Sequence, residues 1–90
     1  MMMKIGEALE DTLRNFFKKN QNLPLPHGQF TKMKADVYAD AVRNGINPEL
    51  IESSIENTVK HWIEEGLCTI HDTIAGDITL TNKGYKYFCQ

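Results

Sequence analysis

The most reactive side chains in this chain belong to Cys68, His71 and Cys89. Two thiols and an imidazole could hold a zinc ion if folding brought them to one point. Their spacing argues against it. Cys68 and His71 lie three apart in a stretch where polar and apolar residues alternate, and side chains three apart on a strand point to opposite faces. A buried thiol and a solvated imidazole are expected instead, with no metal and no cofactor. Cys89, beside Gln90, is expected to be exposed and prone to oxidation without being catalytic. His61 neighbours Trp62 but points off its helix's apolar line, as a satisfied or solvated histidine. No glycine-rich phosphate loop, serine elbow or paired-carboxylate motif occurs, so a non-enzymatic role is expected.

What remains is the chemistry of recognition, concentrated in GINPELIESSIENTVKHWIEEGLC, residues 45–68. Its start has strong helical logic. Asn47 can cap the free amides, Pro48 suits the first helical position, and Glu49 favours the positive end of the helix dipole. Ile51, Ile55, Val59, Trp62 and Ile63 are expected to form a buried apolar stripe, and Gly66 closes the helix, placed at 48–65. The opposite side shows Glu49, Ser53, Glu56, Asn57, Lys60 and Glu64. Ser53, Asn57 and Lys60 could contact base edges, whereas the three glutamates would repel phosphate.

Three further elements must position this helix. Ile5, Leu9, Leu13, Phe16 and Phe17 recur at helical spacing with charged residues between them, which predicts a first helix over 5–19. Pro24 and Pro26 then force an extended linker, residues 20–29. A second helix over 31–44 carries the stripe Phe30, Met33, Val37 and Ala41 and ends at Gly45. Ala35, Ala39 and Val42 form a second line on it, suited either to a close helical neighbour or to a partly exposed small-residue face. After Gly66 the period becomes two, which predicts a hairpin over 67–81. Turn chemistry favours pairing Ile70 with Leu80, Asp72 with Ile78 and Thr73 with Asp77, leaving Ile74-Ala75-Gly76 as a three-residue loop. Residues 82–90 are expected to finish as a short helix or strand. Trp62, Ile55, Ile51, Phe16, Val37 and Leu80 should share one core.

Ninety residues with 41% hydrophobic and 24% charged side chains suit one globular α+β domain rather than a disordered chain. No apolar run is long enough to cross a bilayer, and Glu7, Glu10 and Asp11 interrupt any signal-like stretch, so a cytoplasmic protein with reduced thiols is expected. The net charge of −2 is unevenly spread. Residues 1–47 carry seven Lys/Arg against five Asp/Glu, and residues 48–90 carry three against seven.

The order helix, helix, turn, long helix, hairpin resembles a winged helix-turn-helix domain. Ala41 to Gly45, the NPE helix start, WIEEGLCTI entering the first wing strand and LTNKGYKYF leaving the second carry this likeness. EEGL and LTNKG are similar to bacterial winged-helix regulators of the MarR and PadR kinds. The stretch from Gly45 to Gly66 is about a turn longer than the compact regulator pattern. The resemblance implies that the third helix approaches base edges while the wing and the start of the second helix approach phosphates. On this chain those roles would fall to the outward residues of the third helix, to Lys32, Lys34 and Arg43, and to Ile74 at a wing tip flanked by Asp72 and Asp77. A small DNA-binding transcriptional regulator is the leading expectation. The alternative is a protein-binding winged helix, an adaptor or phage- or plasmid-type inhibitor, that presents its acidic third helix to a basic protein surface. The resemblance further suggests a homodimer through the first helix and the Tyr85–Phe88 tail, unless that tail packs on the chain's own first helix.

Overall fold

The apolar stripes of the first two helices are buried in a shared core, and that of the third is buried in part. The structure, a computed structural model, describes residues 4–20, 24–72 and 77–89. It is an α+β fold of helices α1 (Ile5–Lys19), α2 (Gln29–Arg43) and α3 (Pro48–Glu64), a hairpin of strands β1 (Cys68–Asp72) and β2 (Asp77–Leu80), and a closing helix α4 (Asn82–Phe88). Three helices followed by a hairpin fit a winged-helix layout. α1 buries Ile5, Leu9, Leu13 and Phe17, and α2 buries Phe30, Met33, Val37 and Ala41. Trp62, Ile51, Val37 and Leu80 meet in one core, and Ile55 and Phe16 pack half-buried against it. The second line of α2 faces water: Ala35, Ala39 and Val42 are exposed. Among the described residues no helix is long and apolar enough to cross a membrane.

The local signals around α3 act as expected. Asn47 Oδ1 accepts from the Glu49 amide at 2.9 Å, with Pro48 in the first turn. Gly45 (φ 78°) and Gly66 (φ 75°) take the left-handed conformation that lets the chain leave α2 and α3 abruptly. α2, however, starts at Gln29 rather than Thr31, because a distant side chain prepares its first turn. Asp77, at the start of β2, accepts the Gly28 amide on Oδ2 at 2.9 Å. This carboxylate, expected to flank the wing tip, is 2% exposed and lies at the N-terminal end of α2. His27 Nδ1 lies 3.3 Å from the same Oδ2, and Oδ1 has no hydrogen-bond partner among the described residues.

The hairpin register differs from the expected one. Cys68 faces Leu80, Thr69 faces Thr79, Ile70 faces Ile78 and Asp72 faces Asp77, with an irregularity between Ile70 and Asp72. Pairing is set from the base of the hairpin rather than from its turn. The Thr81 amide donates to the Leu67 carbonyl at 3.0 Å, and the Leu67 amide to the Trp62 carbonyl at 2.8 Å, so the first strand is held in place where it leaves α3. A slip of two residues preserves which side chains face inward, and Cys68, Ile78 and Leu80 are all buried. The expected Ile74-Ala75-Gly76 loop, with Ile74 as a contact, lies outside the described residues.

α4 joins hairpin to helices. Thr81 Oγ1 accepts the Gly84 amide at 3.0 Å and donates to the Gly66 carbonyl at 2.6 Å. Lys83 Nζ donates to the Glu65 carbonyl at 2.7 Å, so two carbonyls beyond the end of α3 are satisfied by the segment that follows the hairpin. Phe88 is buried edge-on against Trp62. Tyr85 stacks edge-on to Phe17, and the Arg14 guanidinium lies 4.8 Å from the Tyr87 ring centre. The tail thus packs on the chain's own helices, Tyr87 included.

The two thiols are free and differently placed. Cys68 is 1% exposed and burial pushes its pKa up to about 11, while Cys89 is half-buried and also raised by burial. Thiolate is the reacting form, so iodoacetamide at mildly alkaline pH should modify Cys89 well before Cys68, with Cys68 reacting only after denaturation. Peptide mass spectrometry of the native protein reads this directly. Equal labelling of both would contradict the hairpin's placement on the core.

Candidate binding face of the third helix

The face that could recognise a partner is built on α3 and closed on one side by α2 and on the other by β1. α3 buries only Ile51 and Trp62 fully. Ile55, Val59 and Ile63 are half-buried, because the helix's apolar stripe is wider than the core beneath it. Glu49, Glu52, Ser53, Glu56, Asn57, Lys60 and Glu64 are all exposed.

Two contiguous grooves result. The first, about 660 Å³, runs between α2 and α3 and is lined by Thr31, Lys34, Tyr38, Glu49, Glu52 and Glu56 among others. The second, about 580 Å³, runs between α3 and β1 over Ile55, Val59, Ile63 and Ile70, with Lys34, Glu56, Asn57 and Lys60 at its sides. Lys34, Ile55 and Glu56 belong to both. Of the expected contact residues, the fold therefore gathers Lys34, Glu49, Ser53, Glu56, Asn57 and Lys60 on one surface. Lys32, Arg43 and Glu64 are exposed but line neither groove.

Two of the three cations expected to meet phosphate, Arg43 and Lys34, lie against groups of the fold, while Lys32 is exposed. Arg43 pairs with Asp40 one turn back on α2. The Lys34 amine lies 5.4 Å from the Phe30 ring centre. Burial lowers its pKa, and the nearby Asp77 carboxylate pushes the other way. The start of α2, a natural anion site, already has Asp77 against its Gly28 amide.

Sequence reasoning missed Glu52, Tyr38 and the apolar groove. The signal was the spacing of Ile55, Val59 and Ile63, which forms a line of its own beside Ile51 and Trp62. What could not be foreseen is that the hairpin would overhang this line rather than cover it. Ile70 lies two residues from buried Cys68, on the same side of its strand, yet it is 51% exposed. Among the described residues no group of three or more His, Cys, Asp or Glu side chains could hold a metal ion. No family model, curated protein or solved structure matches this chain.

Proposed function

We propose that this chain is a non-catalytic binding protein of winged-helix layout that presents the acidic face of α3 to a basic surface of a partner protein. The observation that carries this is the α2–α3 groove, where Glu49, Glu52 and Glu56 outnumber Lys34 among the described charged residues of its lining. Exposed carboxylates grouped on a rigid helix steer a basic partner and suppress acidic ones, nucleic acid included. A DNA-binding transcription regulator is the second reading, favoured by Ser53, Asn57 and Lys60, which are exposed on one side of α3 as base contacts would need.

The two readings predict opposite signs for one set of changes. Glu49, Glu52 and Glu56 are replaced together by glutamine, Lys60 by alanine, and both sets are combined. Each protein is titrated at two salt concentrations against duplex DNA fragments and against a partner captured on the immobilised parent. For a basic protein partner, the triple change should weaken binding by roughly tenfold at low salt, with much less effect at high salt, and Lys60→Ala should leave it equal or tighter. Stronger DNA binding by the triple variant, with a loss on Lys60→Ala, would decide for DNA.

A further inference from the structure

The groove between α3 and β1 has an aliphatic floor. Ile55, Val59 and Ile63 occupy one line at successive turns of α3, and Ile70 of β1 faces them across the gap. Such a line covers two helical turns, on the order of 12 Å. Four branched aliphatic side chains are left partly in water at one place, beside a row of exposed carboxylates. At its α2 side this groove runs into the acidic one through Lys34, Ile55 and Glu56. An occupant of both must therefore be apolar along one stretch and positively charged at one end.

Resting on the protein-binding reading above, we propose that the partner presents a basic amphipathic helix. Its aliphatic side chains, spaced i, i+4, would seat over Ile55, Val59, Ile63 and Ile70, and Lys or Arg at one end would meet Glu49, Glu52 and Glu56. Helical form follows from the floor's chemistry. An extended peptide would lay its amides over aliphatic side chains, whereas a helix satisfies its own amides and interleaves its side chains with the ridge of α3.

The test uses the whole chain and a displayed library of helical peptides with randomised faces. Enriched peptides should share an i, i+4 aliphatic pair with Lys or Arg clustered at one end. Their affinity should fall at least about tenfold on Ile70→Glu and clearly on Ile70→Thr, which keeps a branched strand residue, since an apolar contact of this size is worth about that factor. Thermal melts matching the parent would show that both variants fold, as expected for a half-exposed side chain. Replacing Glu49, Glu52 and Glu56 by glutamine should weaken the same peptides mainly at low salt. No enrichment, or enriched peptides indifferent to both Ile70 variants, overturns the proposal. Indifference to Ile70 with weakening by the glutamine variant removes the helix-binding groove while leaving the acidic-face reading intact. The reverse pattern removes the acidic contact, and with it the basic end proposed for the ligand.

Discussion

Replacing Trp62 with alanine is expected to destabilise the protein by about 3–5 kcal/mol, a large fraction of the roughly 5–15 kcal/mol that holds a small domain folded. The indole is 4% exposed and joins three helices through aromatic contacts. Phe88 of α4 meets it edge-on, with ring centres 5.1 Å apart, and Phe30 of α2 lies tilted at 6.1 Å. Truncation would open a cavity between partners on different elements, which cannot close around it without moving a helix. Trp62→Phe keeps most of the volume and should cost less than half as much. Lys60→Ala, two residues earlier on the exposed side, should stay within about 0.5 kcal/mol of the parent. Urea denaturation followed by far-UV circular dichroism measures all three. A Trp62→Ala protein with the parent's midpoint would mean that the three rings do not form the centre of the core.

Trp62 was legible from its spacing alone, and so were the helices. In α1 and α2 the predicted apolar positions are the buried ones, with only Phe16 left half-covered, because a stripe at helical period has one way to meet a core. The Asn47-Pro48-Glu49 start was legible because capping is local chemistry. The start of α2 was not, since its first turn is prepared by Asp77, 49 residues away from Gly28. The hairpin register failed for the same kind of reason. Turn preferences and an alternating pattern cannot distinguish pairings two residues apart, and contacts at the base, Leu67 to Thr81, made the choice.

The binding face was legible as a list of exposed side chains and not as a surface. Helical periodicity placed Glu49, Ser53, Glu56, Asn57 and Lys60 outward. It could not show that Lys34 would lie against Phe30 near Asp77 or that Arg43 would turn to Asp40. Those positions set two of the cations that the resemblance would place against phosphate beside groups of the chain itself. The stretches that gave the winged-helix resemblance belong to architecture instead. EEGL and LTNKG touch each other through Thr81 to Gly66 and Leu67 and through Lys83 to Glu65. They form the joint between α3, hairpin and α4, which any partner-binding use of the fold would need equally.

That joint gives the second large effect, Gly84→Ala. Gly84 is buried in α4, where alanine would ordinarily gain about 0.5–1 kcal/mol in helix propensity. Here a methyl group would stand 1.9 Å from the Leu67 carbonyl oxygen and 2.9 Å from its carbon. Both are main-chain atoms, and the same oxygen accepts the Thr81 amide, so it cannot move aside without breaking the base of the hairpin. α4 must shift instead, pulling Phe88 off Trp62. The clash should outweigh the propensity gain, for a net loss of about 3 kcal/mol or more and a melting temperature lower by roughly 15 °C. Asn82→Ala, exposed in the first turn of the same helix, controls for local helix effects and should stay close to the parent. Differential scanning calorimetry separates the outcomes. A Gly84→Ala protein as stable as its parent would show that α4 does not pack this closely on Leu67. The EEGL and LTNKG stretches would then no longer be explained as a structural joint, and their residues would return as candidates for partner contact.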